Sequence, residues 1–214
     1  MKSSAVLRWT AAAGSRARSG FLDLPRQDGV SYPECTPMAV QSMASGAEQA
    51  RKELGALPSE ELIARYRRGL ECFDPRIFEL SDEQMDMAFL PDAGVGQWPV
   101  RVLAGHLADA ELSFSHRMRR AVAEENPLLA VWDENAFIDA GLYAGGQHPV
   151  GGFIAVVHTL RRWTSEWLAT LTPEQLARQA MHPERGPLSV KTILVYSTWH
   201  PEHQAQVLNA KICK

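Results

Sequence analysis

The chain has 214 residues, of which 45% are hydrophobic, and a formal net charge of -3. That balance fits an ordinary water-soluble globular protein and gives no reason to expect nucleic acid as a partner. No apolar run approaches the roughly 20 residues that span a bilayer. Cys35, Cys72 and Cys213 are far apart and odd in number, which argues against a disulfide framework or thiolate metal site and for a reducing compartment.

Residues 1–55 differ from the rest. Lys2, Arg8, Arg16 and Arg18 precede the first acid, Asp23, and the segment is rich in Ser, Ala and Gly, with Pro25, Pro33 and Pro37 spaced through it. Basic, Ser-rich and acid-poor describes a transit peptide for organellar import. The same composition describes a disordered tail, or a stretch upstream of a start near Met38 or Met43. The segment lacks the periodic apolar residues of a core. The expectation is an N-terminal extension at 1–55 and a folded domain at 56–214, with the cytoplasm as the default location.

From Pro58 onward the pattern is helical. Ser59 to Leu62 opens a helix that carries Ile63, Tyr66, Leu70 and Phe73 and is interrupted by Pro75. Ser81-Asp82-Glu83-Gln84 reads as a capping box, followed by a loop through Pro91, Gly94 and Gly96. A second helix is predicted from about Pro99 to Glu125. There Val100, Leu103, Leu107, Ala110, Phe114 and Ala121 recur at three- and four-residue steps and mark one buried stripe. Asn126-Pro127 ends it. Residues 127–149 form a long connection that permits a crossover. A third long helix, from about Gly152 to Leu171, is predicted to turn Phe153, Val156, Val157, Leu160, Trp163, Trp167 and Leu171 inward. Thr172-Pro173-Glu174-Gln175 is a second capping box with proline at its first helical position. After a loop at 182–187, Ser189 caps a final helix to about Ala210, and no strand is predicted. Four long amphipathic helices with short accessory ones indicate an all-α four-helix bundle.

Three histidines carry the chemistry. His106 lies on the second helix, roughly 60° from the centre of its apolar stripe at 100° per residue. His200 and His203 lie on the last helix, where residues three or four apart share a face. A His pair on one helix and a third His from a neighbour form a facial site for a divalent metal, with room for water or substrate. The last helix allows two pairings. Ile193, Tyr196, His200, His203 and Val207 make one face, and Val190, Leu194, Ser197, Pro201, Gln204 and Leu208 make the next. The first gives a His200/His203 chelate; the second gives His200/Gln204, whose amide oxygen is a poorer ligand than imidazole for zinc or nickel. Pro201 kinks the helix between them, so both pairings stay open.

Arg117 falls on the same shoulder as His106. It is either a snorkelling arginine paired with an acid such as Glu124 or a cation that holds a substrate carboxylate near the metal. Trp98, Trp132, Trp163 and Trp167 read as core and loop anchors. His148, His158 and His182 fall in loops or on outward faces and receive no role. There is no nucleophile elbow, P-loop or dinucleotide fingerprint, and Cys72 has no His partner in sequence.

Several ordered motifs agree with one family. The stretch GQWPVRVLAGHLADAELSFSHRMRR, the run AEENPLL, the segment LTPEQLARQAMHPERGPLSVKTIL and the closing WHPEHQAQV together resemble the DinB/YfiT-like family, over about residues 60–210. The resemblance implies a four-helix bundle with a long crossover, a divalent metal (usually nickel or zinc) held by three histidines, and frequent homodimers. It implies an enzyme acting on a small molecule: a thiol-S-transferase using a low-molecular-weight thiol, a thiol-dependent isomerase or a metal-dependent hydrolase. His106 matches the family's first histidine. The last helix of the family typically carries WHxxHH, with the first and last His as ligands. Here that motif reads Trp199-His200-Pro201-Glu202-His203-Gln204, so Gln204 stands at the final ligand position, and a one-residue slip near Pro201 would bring His203 there instead. The rival expectation is a metal-poor dimeric bundle that acts as a binding or structural protein.

Overall fold

The structure is a computed structural model that describes residues 43–86, 98–145 and 149–212. The predicted loop at Pro91, Gly94 and Gly96 lies outside the described residues, as do His148, Cys35, Cys213 and residues 1–42. The elements are helices α1 (Met43–Ala56), α2 (Ser59–Arg67), α3 (Asp82–Met85), α4 (Val100–Ala123), α5 (Glu134–Asp139), α6 (Val150–Leu168), α7 (Pro173–Ala177) and α8 (Val190–Ile212). A 3-10 turn spans Pro75–Glu79, and strands β1 (Gln179–His182) and β2 (Gly186–Ser189) form an antiparallel hairpin. No helix among the described residues is long and apolar enough to cross a membrane.

Local chemistry sets the helix ends. Both capping boxes form: Ser81 Oγ accepts from the Gln84 amide, and Thr172 Oγ1 accepts from the Gln175 amide. The Ser189 hydroxyl accepts from the Thr192 amide and starts α8. Asn126 adopts φ 48°, a left-handed position that asparagine tolerates, one residue before Pro127.

The bundle runs α4–α6–α2–α8 around its axis, each helix packed on its two neighbours. Ala104 clusters with Val150, Leu107 with Val157, and Met118 with Leu168, so α4 and α6 run parallel. A parallel pair cannot be joined by a tight turn, which is why the crossover is long. The crossover is tied down where the Leu129 amide donates to the Met181 carbonyl and the Met181 amide to the Pro127 carbonyl.

The expected four-helix bundle is the observed architecture, with three local differences. The boundary expected at 55 falls inside α1, which packs on α8 and buries Leu54 to 2% exposure. The Ala-rich, largely polar sequence of α1 hid a helix that needs only one apolar edge. The hairpin at 179–189 stands where a loop was expected, because two four-residue strands are too short for a periodic signal. Helix α6 is also turned. Its buried residues are Val150, Val157, Arg161, Thr164, Ser165 and Leu168, whereas Trp163 is 55% exposed under the Arg119 guanidinium.

That rotation follows from a polar belt inside the bundle. On α4, Glu111 lies between residues of the two apolar clusters; Arg161 does so on α6 and Ser197 on α8. Arg161 Nη1 donates to Glu111 Oε2 at 2.8 Å, its Nε donates to the Tyr66 carbonyl at 2.7 Å, and the Tyr66 hydroxyl donates to Glu111 Oε1. Pro201 has no N–H, so the Ser197 carbonyl one turn earlier loses its helical partner. Arg161 replaces it, donating to that oxygen from Nη1 and Nη2 at 3.1 Å each. A buried charge survives only when paired and hydrogen-bonded, and this one is held by all four helices of the bundle.

Candidate metal centre

Helices α4 and α8 bring His106 and His200 together. Their Nε2 atoms face each other at 3.0 Å, with ring planes at 76°. Trp132, from the crossover, stacks on His106 with centroids 5.2 Å apart and an interplanar angle of 15°, and Trp98 lies across it at 5.3 Å. The crossover closes over α4 at Gly105, where any Cβ would collide with the Tyr143 ring, and the Tyr143 hydroxyl donates to Asp109 Oδ2 at 2.6 Å. Burial pushes the His106 imidazole down to about 4. Burial pushes His200 down to about 3, with His106, His203 and Arg161 adding to the effect. Both rings are therefore neutral at neutral pH, the form that binds metal.

The 3.0 Å separation is that of an N–H···N hydrogen bond between two neutral rings, and it also suits a shared cation. Two bonds near 2.1 Å meeting at about 90–109° set the nitrogens roughly 3.0–3.4 Å apart. The third donor is less regular. His203 stacks on Trp199 at 4.8 Å and 15°, and among the described residues no three His, Cys, Asp or Glu side chains are arranged to hold an ion. The structure thus brings His106 and His200 together, while His203 is engaged by Trp199. Gln204, one turn beyond His200, lines the same cavity and makes no hydrogen bond among the described residues. Glu134 Oε2 approaches His106 Nε2 to 3.7 Å.

The pair opens into a cavity of about 850 Å³. Its aromatic wall comes from Trp98, Phe114, Trp132, Tyr196 and Trp199. Arg117 lines it too, half-buried, with Nη2 donating to the Ala130 carbonyl at 2.8 Å. Glu124, the acid expected beside Arg117, is paired with Arg120 at 2.6 Å instead. His182, read in sequence as a loop residue without a role, is buried at the end of β1 and lines the cavity. Trp132 and Glu134 had no motif around them, and Arg51 sat in the segment set aside as an extension. His158 is exposed, as its sequence position implied. Burial raises the Cys72 thiol to about 11, so it supplies no thiolate.

The chain is similar to known proteins over most of its length. It is 31% identical, over 140 residues, to a "putative metal-dependent hydrolase" of Oceanobacillus iheyensis, covering 64% of this chain and 76% of that one. It is 28% identical, over 146 residues, to the YfiT protein of Bacillus subtilis, which bears the same designation, covering 67% and 74%. The solved structure of Bacillus subtilis YfiT, described as a four-helix bundle of unusual topology, matches with a TM-score of 0.54 at 21% identity and covers 87% of this chain and 90% of that one. The DinB superfamily model matches residues 47–208, a span that holds α2 to α7, the histidine pair and most of α1 and α8. The chain belongs to the DinB superfamily.

Proposed function

We propose that the cavity is the centre of a divalent-metal enzyme, zinc or nickel, that acts on a small molecule by thiol transfer or hydrolysis. The observation that carries this is the facing of two neutral, buried imidazoles at 3.0 Å at the end of a large aromatic cavity. His106 and His200 would hold the ion and Gln204 would complete the set as a neutral amide donor. A bound divalent ion supplies Lewis acidity, which lowers the pKa of a water or thiol or polarises a carbonyl. The remaining roles belong to the chain. Trp132 and Trp98 shield His106 from solvent, and Glu134, 3.7 Å from its Nε2, is placed to accept a proton from a nucleophile. Arg117 is placed to hold a substrate carboxylate. The homodimer implied by the resemblance belongs to the same proposal, and light scattering of the purified chain reads it directly.

One observation favours the rival reading of a metal-poor binding bundle: no third His, Cys, Asp or Glu joins the pair among the described residues. Elemental analysis and metal titration decide between the two. Wild type should retain close to one ion, His106→Ala and His200→Ala should lose it, and Gln204→His should tighten it. Loss in His203→Ala with no change in a Gln204→Ala variant would move the third ligand to His203. Undetectable binding in wild type would leave the metal-free bundle.

A further inference from the structure

We propose that Arg51 and Arg185, with Arg117 beside them, form an anion subsite that takes the carboxylate or phosphate group of a small-molecule substrate. The proposal rests on the cavity being a substrate site and adds the charge of what enters it.

The three arginines come from distant parts of the chain. Arg51 is on α1, Arg117 on α4 and Arg185 in the turn between β1 and β2. All three line the cavity that holds the histidine pair. Arg51 and Arg185 meet at one aromatic ring: their guanidinium carbons lie 5.3 and 5.2 Å from the centre of Tyr196. Arg51 also lies 4.6 Å from the centre of Trp199. A guanidinium held over a ring by cation–π attraction has its head group positioned without its N–H donors being used up. Those donors have no taker here. Neither Arg51 nor Arg185 makes a hydrogen bond or ion pair among the described residues, and Arg117 makes only its bond to Ala130.

The carboxylates of the cavity do not neutralise this group. Glu134 turns to His106, and Asp133 accepts from the Ala136 amide. Glu184 lies beside His182 and forms no ion pair with an arginine among the described residues. Positive groups crowd this wall: Arg185 adds to burial in lowering Arg117, Arg117 and Arg185 disfavour the charged form of His182, and Arg51 disfavours that of His203. Like charges gathered at a partly buried wall repel unless an anion joins them. Carboxylate and phosphate both match the guanidinium fork, and the aromatic wall offers contact area for the rest of the ligand.

The test is calorimetric titration of the full chain with succinate and with inorganic phosphate, using succinamide as the neutral control. Each titration is run on metal-loaded and on chelator-treated protein. At least one anion should bind the chelator-treated chain, with succinamide weaker than succinate by about tenfold or more, and binding should weaken with added salt. Arg51→Gln and Arg185→Gln should each weaken anion binding by about tenfold, the size of one lost charged hydrogen bond. Arg51→Lys separates lost charge from lost packing, and Arg185 is exposed on the hairpin, so its replacement leaves the bundle folded. Succinamide binding as tightly as a succinate that binds, unchanged binding in both glutamine variants, or no heat from either anion at millimolar concentration would overturn the subsite. Anion binding that vanishes on chelation would also overturn it, while upholding the metal centre. Anion binding by a chain that retains no metal would uphold the subsite and remove the metal reading.

Discussion

Two polar clusters lie about one turn apart along α4 and α8, and they are completed to different degrees. In the belt, Arg161 donates from all three of its nitrogens, and Glu111 receives Arg161, Tyr66 and Ser197. Around the histidine pair, His106 Nδ1 and Trp132 Nε1 are buried without a partner among the described residues. A buried polar group left unpaired is costly. The charged groups of the belt therefore satisfy one another, whereas the histidine pair sits beside buried polar atoms that have no partner among the described residues. Proximity to His200 alone would have grouped the two clusters; hydrogen-bond completeness separates them.

The largest expected effect breaks the closed cluster. Arg161→Met strands Glu111 as an uncompensated buried charge and leaves the Ser197 carbonyl without a donor. It should destabilise the fold by about 3–5 kcal/mol, read by urea unfolding. Adding Glu111→Leu should restore part of that loss. A milder break comes from Gly69, where an added Cβ would sit 2.8 Å from Arg161 Cζ and Nη2. Gly69→Ala should cost about 1–3 kcal/mol through displacement of that guanidinium, with the midpoint of unfolding as the readout.

The open cluster should respond in the opposite way. His106→Ala should change the stability of metal-stripped protein by only about 1 kcal/mol. It should nonetheless weaken metal binding by more than the roughly 10–100-fold that follows loss of an outer-shell partner. A stability loss as large as that of Arg161→Met would make the pair structural and remove the distinction. The last effect is on pH dependence. Burial holds the folded values of His106 and His200 at about 4 and about 3, below the ordinary imidazole value of 6.5. As pH falls, the unfolded chain takes up protons first. Stability carried by the pair is complete above about 6.5 and is lost between there and about 3, the lower of the two folded values. Thermal melts of the stripped wild type should therefore fall across that window, and those of His106→Ala/His200→Ala should fall less.

These differences follow what was legible in the sequence. The stripe from Val100 to Ala121 and the boxes at Ser81 and Thr172 could be read because they depend on neighbours within a turn or two. The inward face of α6 could not be read, because Arg161, Thr164 and Ser165 look like surface residues until Glu111 and the Ser197 carbonyl are placed opposite them. Arg51 and His182 were missed for a similar reason. One lay in a segment of extension-like composition and the other in an apparent loop, and only the packing of α1 and the hairpin brings them to the cavity. His106 and His200 stood out because histidine beside an apolar stripe is itself a signal. The choice between His203 and Gln204 stayed open because Pro201 lies between them and His200.

Pro201 also bears on the order in which the molecule assembles. Residues 190–212, as an isolated segment, lack one backbone hydrogen bond at the turn that carries His200, and local sequence cannot restore it. The missing donor arrives from α6, 36 residues earlier at the Ser197 carbonyl. That turn is therefore consolidated by tertiary docking and not by helix propagation, and it should rank among the later parts of α8 to gain protection from hydrogen exchange. The orientation of His200 is acquired in the same event. A chain that has not yet seated α6 holds both histidines in its sequence and has no paired site to offer.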